Sequence, residues 1–458
     1  MPIRPQPTAT APDPQLAPLV SDRWTTEVVP SLPVDLEAQA RCLKAFQRKR
    51  GLACAADLLR ALLAYVLCAP SFRRVGAWAV LVDLADLSDT AWRKRLTTAN
   101  LWLLWLLSEL VSAPPDPHCL PPQSRGRILL IDATTLRQPG GTGDDWRLHT
   151  AYDLVAGRLC QLTLTDRQGG ESLVHDALQP GDIAVADNGY GYRRSVATAR
   201  QQQADVVLRI WPATFPLEDG RGQTVDVLAW LRRRGPELRS LACWCTWEGQ
   251  RYGLRLLAVK LPPAAARVAR RRAVRQAQRK GRRVSATALA LAGWVLLITT
   301  LQAQAWSMAE VLRLYRARWQ VELVYKRMKS VLKLNQLRST QCTPVEATVR
   351  LLLIAWVLQE GEAAQVRALL AGLWSGAATV SNGVPRAVSS WLLTALCVER
   401  LRQQVQGQWT AAQVRVCLPR LQRFLVHRPR RREHQESAVR TWLAGRGRAG
   451  VRPQQQAA

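Results

Sequence analysis

The chain has 458 residues, of which 48% are apolar, so it can form two or three domains with real cores and is not disordered throughout. The formal net charge of +30 is extreme and indicates a polyanionic partner, although charge alone does not choose between DNA and RNA. Ten cysteines without a C-x2-C pair, beside five histidines, argue against a structural zinc site and fit the reduced thiols of a cytoplasmic protein. We expect no membrane span, because no uninterrupted apolar stretch reaches ~18 residues.

The first part of the chain is expected to be helical and basic. Residues 1–20 are rich in Pro and Ala, which predicts disorder. Most of residues 21–112 shows helical periodicity with scattered cations, including Lys94 in a segment that Ser88 is placed to cap. We interpret this region as a helical DNA-binding domain, and the alternative is a helical cap whose basic face is merely solvated. A Pro-rich stretch over 113–126 indicates a linker.

An aspartate follows a short apolar run directly after the linker. The run RILLID ends at Asp132 and is typical of a central strand that delivers an acid to the edge of a sheet. Such an aspartate must be hydrogen-bonded, exposed at the strand end or metal-bound, so Asp132 is either a turn residue or a ligand. Residues 146–171 then predict two antiparallel strands. His149 lies on the first of them, either near an active site or as a structural hydrogen-bonding group.

The same arrangement recurs at Asp187. Residues 183–186 predict a short strand, Asp187 stands at its end, and the following Asn-Gly pair predicts a turn. An ordinary turn aspartate is the alternative, since Asp-Asn-Gly is a common turn. Asp182 precedes the strand and is therefore not a candidate. A helix over 192–203 and a strand over 204–212 are expected next.

Residues 213–305 separate these strands from the next helix. They begin with strand-like alternation and continue into a basic run that contains no acid between Arg267 and Arg283. Such a run is usually solvated or disordered, but here we favour contact with a DNA backbone. The cations proposed for this contact are Arg270, Arg271 and Arg272.

A lone acid stands among cations on the next predicted helix, over 315–329. At about 100° per residue, one face of this helix carries Tyr315, Arg318, Glu322 and Lys329. An acid in a basic groove suits a divalent metal held against phosphate. The alternative is a solvated Arg318–Glu322 ion pair of little value. A separate apolar stripe consists of Leu314, Val321, Val324, Met328 and Leu332.

The spacing Y-x2-R-x3-E-x6-K of this helix resembles the signature of the insertion-sequence family 4 transposases. The upstream sequence is similar to motifs of that family, which occur here in the same order. They are D-A-T at Asp132, then WRLH, T-D and G-E, and finally G-D-x-x-x-A-D-x-G-Y around Asp187. The residue after the second aspartate is often Arg in the family, whereas here it is Asn188, which removes a cation but no ligand. The resemblance covers roughly residues 35–340.

The resemblance implies an α/β fold built around an RNase H-like catalytic core. The core would comprise residues 127–212 and 306–375, with a mostly β insertion over 213–305. An all-helical N-terminal domain over 21–112 would precede it. The residues themselves predict a helical, basic C-terminal region over 376–458.

The same resemblance implies a DNA transposase of the DDE class that acts on the inverted repeats of its element as a homodimer. The triad that binds two Mg²⁺, for which Mn²⁺ can substitute, would be Asp132, Asp187 and Glu322. The residues implied to hold the terminal 5′ phosphate are Tyr315, Arg318 and Lys329. Trp294 matches the position whose indole stacks on a flipped base, although a core tryptophan is the alternative.

Three other functions remain open at this stage. A decayed copy would bind DNA and inhibit transposition without cutting. An RNase H-like nuclease or RNA-processing enzyme would cut without terminal repeats and would not need the cations around Glu322. A purely basic RNA-binding protein would bind irrespective of Asp132.

Overall fold

The computed structural model describes residues 22–47, 51–68, 71–114, 126–141, 145–375 and 388–425. Several predictions from the sequence fall outside these residues and are not addressed by the fold. They are the disorder of 1–20, most of the linker over 113–126, and the Arg-rich part of the C-terminal region beyond residue 425.

The N-terminal region is helical, as predicted. Its helices are α1 (Leu36–Cys42), α2 (Ala55–Leu67), α3 (Phe72–Leu81), α4 (Asp89–Thr98) and α5 (Asn100–Ser112). The Ser88 hydroxyl accepts a hydrogen bond from the Ala91 N–H at 3.2 Å, so Ser88 caps α4 as expected. Helix α2 is buried along most of its length because its sequence is almost entirely apolar.

The centre of the molecule is an eight-stranded mixed sheet. Its strands are β1 (Ile128–Leu136), β2 (Trp146–Asp153), β3 (Arg158–Asp166), β4 (Ile183–Ala186), β5 (Asp205–Arg209), β6 (Leu238–Trp247), β7 (Gln250–Lys260) and β8 (Trp294–Thr299). They lie in the order β3-β2-β1-β4-β5-β8-β7-β6, in which β1, β4 and β5 are parallel and the other pairs are antiparallel. The expected α/β class with an RNase H-like core is confirmed.

The segment between β5 and the Glu322 helix continues the core sheet. Strand β8 pairs with β5, and the hairpin β6–β7 pairs with β8, so the insertion adds three strands to one edge. The segment also contains α7 (Val227–Arg232), α8 (Pro263–Arg279) and α9 (Ala286–Leu291). The basic run forms α8, an exposed helix with a single buried residue, Ala266.

Helices cover both faces of the sheet. Helix α6 (Arg193–Gln201) lies on one face, whereas α10 (Met308–Ala317), α11 (Trp319–Val331) and α12 (Cys342–Ser375) lie on the other. Buried residues of the N-terminal helices and of α10–α12 form one continuous apolar cluster. Two further helices, α13 (Ser390–Gln406) and α14 (Ala411–Leu425), pack on this helical layer.

Helix α12 is unusually apolar. The part of α12 over Cys342–Leu370 is long and apolar enough, by length and composition alone, to cross a membrane. Of its most apolar window, 61% is buried inside the protein, where α12 packs against α2, α5 and α13. It therefore serves as the central helix of the helical layer.

Candidate active site

Asp132 and Asp187 lie side by side on neighbouring parallel strands. Ile131 of β1 pairs with Ala186 of β4, so the two aspartates occupy the next positions along the two chains. The residues two positions before each aspartate are buried in the cluster beneath α11, and side chains alternate along a strand. Both carboxyl groups therefore face the side of the sheet that α11 covers.

Asp132 does not end its strand, contrary to the prediction. Strand β1 continues to Leu136, because its antiparallel partner β2 extends further and pairs Leu136 with Trp146. Only the parallel pairing with β4 stops at Ile131. Asp132 thus marks the point at which two neighbouring strands diverge, which leaves room for its side chain.

The environment of the Asp132 carboxyl disfavours its negative charge. The pKa of Asp132 is raised to about 7, mainly by burial and to a smaller extent by the nearby carboxyl groups of Asp187 and Glu322. The Ala133 N–H, which donates to Oδ1 at 2.9 Å, and the Arg318 guanidinium act in the opposite direction. An acid held in this way is strongly stabilised by a cation placed beside it.

Asp187 opens the predicted turn. Its Oδ1 accepts the Gly189 N–H at 2.8 Å, and residues Asn188–Tyr190 form a single 3₁₀ turn. A Cβ atom added at Gly189 would overlap Oε2 of Glu171, so a fourth carboxyl group lies against this turn. Burial, and then the charge of Asp187, raise the pKa of Glu171. Glu171 belongs to the G-E motif, but no local pattern predicts that it lies beside Asp187.

The helix that carries Glu322 is divided. The sequence predicts one continuous helix over 315–329, whereas α10 ends at Ala317 and α11 begins at Trp319. At Arg318, between them, backbone hydrogen bonds join residues three apart: Arg318 N–H to Tyr315 O, and Val321 N–H to Arg318 O, both at 3.2 Å. The predicted apolar stripe is buried throughout.

Arg318 lies between two of the three acids. Its Nη2 is 2.6 Å from Glu322 Oε1, and its Nη1 is 3.7 Å from Asp132 Oδ2. The side chain is buried, and Nε has no hydrogen-bond partner among the described residues. The Arg318–Glu322 pair expected as the alternative is therefore present, but it is partly buried, and Arg318 also faces Asp132.

The other two residues of the signature lie near the acids and strand β1. Tyr315 is half-buried, and burial raises the pKa of its phenol. The charge of Asp187 also raises this pKa, whereas Arg209 and Arg318 lower it. Lys329 donates from Nζ to Thr134 Oγ1 at 2.6 Å, beyond Asp132 on β1.

The remaining predicted DNA-binding residues lie away from the acids. Trp294 is the first residue of β8 and packs, half-buried, on the opposite face of the sheet from α11. The guanidinium of Arg239 lies 5.1 Å from its ring centroid. On α8, Arg270 donates from Nε to Leu289 O at 3.2 Å, whereas Arg271 and Arg272 are exposed.

Tyr325 is a residue of the site that the sequence analysis missed. Its buried hydroxyl lies 2.7 Å from the backbone oxygen of Asp132 and 2.7 Å from Thr150 Oγ1. Tyr325 thereby joins α11, one turn after Glu322, to the strand that carries Asp132. The only available signal was the spacing of three residues from Glu322, which places both side chains on neighbouring parts of one helix face.

The three acids fit a divalent metal in their chemistry. Carboxylate oxygens are the ligands that Mg²⁺ and Mn²⁺ prefer. Among the residues that the structure describes, no three His, Cys, Asp or Glu side chains stand close enough to hold a metal ion as they are. Asp132 and Glu322 nevertheless already share one cation, the guanidinium of Arg318.

Comparison with known proteins agrees with this geometry. A family model described as a transposase DDE domain matches residues 123–358. The chain is 35% identical over 327 residues to the putative transposase InsL for insertion sequence element IS186A from Escherichia coli K12, and the match covers 68% of this chain and 85% of that protein. It is also 35% identical over 331 residues to the transposase for insertion sequence element IS421 from Escherichia coli, with the same coverage of 68% and 85%.

Proposed function

Because this chain belongs to the DDE transposase family, we propose that it catalyses cut-and-paste transposition of an insertion sequence of family 4. The observation that carries this proposal is that Asp132 and Asp187 occupy neighbouring positions on two parallel strands, while Arg318 links Asp132 to Glu322 of α11. Their carboxyl groups are close enough for two of them to raise the pKa of the third. Neighbouring acids whose charge is disfavoured mainly by burial suit a cation-binding catalytic site.

The triad would hold divalent metal, as the family implies, and we propose two Mg²⁺ ions with Mn²⁺ as a substitute. Bound there, the metal would supply Lewis-acid stabilisation to the attacking and leaving oxygens of a phosphodiester. The chain's own contribution is to hold the acids rigidly: Asp132 through the Ala133 N–H, and Asp187 through the Gly189 N–H.

We propose that a water molecule first cuts at the end of the element and frees a 3′-OH. That hydroxyl then attacks either the opposite strand, which forms a hairpin, or the target DNA. Each step is an in-line displacement at phosphorus, so one set of acids can serve both. The cations beside the acids would hold the DNA during these steps, with Arg318 suited to a phosphate by its planar fork of donors.

The DNA contacts extend beyond the acids in this proposal. Tyr315, Arg318 and Lys329 would bind the terminal 5′ phosphate, and Trp294 would stack on an extruded base. Exposed arginines along α8 would contact the DNA backbone, in keeping with the net charge of +30. Helices α1–α5 would bind the transposon end, and two copies of the chain would pair on the DNA in the cytoplasm.

The test is cleavage of duplexes that carry the inverted repeats flanking the coding region. We expect Mg²⁺-dependent nicking at the repeat boundary and none with a scrambled repeat. Asp132→Asn, Asp187→Asn and Glu322→Gln should each lower the rate by at least about a thousandfold. The matched control is Glu248→Gln, which removes an exposed acid on the β6–β7 turn. Binding without cleavage would indicate a decayed inhibitor, and cleavage of scrambled ends would indicate a general nuclease.

A further inference from the structure

Arg318 occupies the space between Asp132 and Glu322 that a shared metal ion would need. The guanidinium touches Glu322 at 2.6 Å and lies 3.7 Å from Asp132, and the side chain is only 10% exposed. A divalent cation and a guanidinium repel each other, so they cannot both lie between the same two carboxylates of a partly buried site. Metal binding therefore requires Arg318 to leave.

We propose that Arg318 acts as a place-holder cation in the free protein and moves to a DNA phosphate when the transposon end binds. This inference rests on the proposed function, because it assumes that the acids bind metal and that the ligand is DNA. It makes Arg318 a positioning residue for the acids before it becomes a phosphate contact.

The local backbone suits a side chain that moves. Arg318 lies at the junction of α10 and α11, where regular four-residue hydrogen bonding is interrupted. Its Cζ lies 6.0 Å from the ring centroids of both Tyr315 and Trp319, so aromatic surfaces flank the guanidinium. Its buried Nε has no partner in the described structure, which leaves one donor unsatisfied in the present position.

The acids themselves are held by contacts that do not involve Arg318. The Tyr325 hydroxyl binds the backbone oxygen of Asp132 at 2.7 Å and so fixes β1 to α11. Val321 and Val324, on either side of Glu322 along α11, are fully buried. When Arg318 leaves, the two carboxylates should stay near each other, uncompensated and ready for a cation.

The consequence is positive coupling between the DNA end and the metal. A phosphate that draws Arg318 away removes the competitor of the metal, and by reciprocity a bound metal frees Arg318 for the phosphate. The free protein should then bind divalent metal weakly, which protects other DNA from cleavage until a transposon end is in place.

The test is Mn²⁺ binding to the full-length protein, measured by the electron paramagnetic resonance signal of free Mn²⁺. Without DNA, we expect Arg318→Gln and Arg318→Ala to bind Mn²⁺ at least about tenfold more tightly than the unmodified protein. The matched control is Lys326→Ala, which removes an exposed cation. Lys326 is four residues from Glu322, as Arg318 is, but its Nζ lies 6.0 Å from the ring centroid of Trp319. This variant should bind like the unmodified protein.

A duplex of the element's end with a 5′-terminal phosphate supplies the second arm. This duplex should increase the Mn²⁺ affinity of the unmodified protein at least about tenfold. It should increase the Mn²⁺ affinity of Arg318→Gln by less than about threefold. Equal Mn²⁺ affinities for both Arg318 variants and the unmodified protein would overturn the inference. If Asp132→Asn also left Mn²⁺ binding unchanged, the metal site of the proposed function would fail as well, so the two failures can be distinguished.

Discussion

Replacing Tyr325 by phenylalanine tests how the site is held together. The change removes one oxygen atom from a side chain that is 5% exposed, and leaves the ring in place. That oxygen is 2.7 Å from the backbone oxygen of Asp132 and 2.7 Å from Oγ1 of Thr150, which is fully buried. Water cannot replace the hydroxyl without new space, so both groups lose a hydrogen-bond partner in the interior.

The expected cost follows from these two groups. A buried polar group left without a partner costs about 1–3 kcal/mol, and the lost bonds were worth about 1 kcal/mol each. We therefore expect Tyr325→Phe to lower the free energy of unfolding by about 2 kcal/mol. At a temperature where the variant is folded, cleavage should slow by at least about tenfold, because the backbone at Asp132 is no longer tied to α11.

Stability is measured by urea unfolding, with tryptophan fluorescence as the signal. The cleavage rate is measured separately, in single-turnover reactions with the repeat duplex. Tyr192→Phe is the matched control: Tyr192 is 49% exposed, and its loss of a hydroxyl should change stability by less than about 0.5 kcal/mol. If Tyr325→Phe unfolded at the same urea concentration as the unmodified protein, the assigned role of this hydroxyl would be wrong.

Three further changes test other parts of the structure. Asp182 is 2% exposed, and its Oδ1 accepts a hydrogen bond from Arg127 Nε at 3.0 Å. Asp182→Asn should therefore lower the free energy of unfolding by about 3 kcal/mol, while the cleavage rate of the folded protein stays within about twofold. A large loss of cleavage rate without a loss of stability would contradict this. Gly126 has a φ of +73°, and a Cβ added there would overlap Gly181 O. Gly126→Ala should therefore lower the free energy of unfolding, measured by urea titration, by about 2 kcal/mol or more. An unchanged free energy of unfolding would contradict this backbone conformation. Burial raises the pKa of Glu360 to about 7, so the folded state holds a proton that the unfolded state releases, and this stabilisation is lost as pH rises towards 7. The free energy of unfolding of Glu360→Gln should therefore rise relative to that of the unmodified protein between about pH 5 and pH 8, by up to about 3 kcal/mol. Equal dependence of the free energy of unfolding on pH in both proteins would contradict this.

The sequence predicted the parts of the site that depend on local patterns. Short apolar runs ending in acids placed β1 and β4, and the helical spacing of apolar residues placed the buried side of α11. The Asn-Gly pair after Asp187 predicted its turn. Each of these signals lies within a few residues of the feature it predicts.

The parts that the sequence did not predict depend on distant contacts. Tyr325 meets Asp132 across 193 positions of the chain, and nothing near Tyr325 indicates that partner. The pairing of β8 with β5, which makes the insertion part of the core sheet, is equally remote in sequence. The break at Arg318 had no Pro or Gly to mark it, and it coincides with the turn of that side chain towards the acids.

The most direct test of the central claim is anomalous diffraction from crystals of the protein bound to a repeat-end duplex and soaked in Mn²⁺. The account predicts Mn²⁺ peaks within about 2.3 Å of carboxylate oxygens from Asp132, Asp187 and Glu322, with Arg318 turned away from them. Mn²⁺ bound elsewhere while these three carboxylates carry none would contradict it.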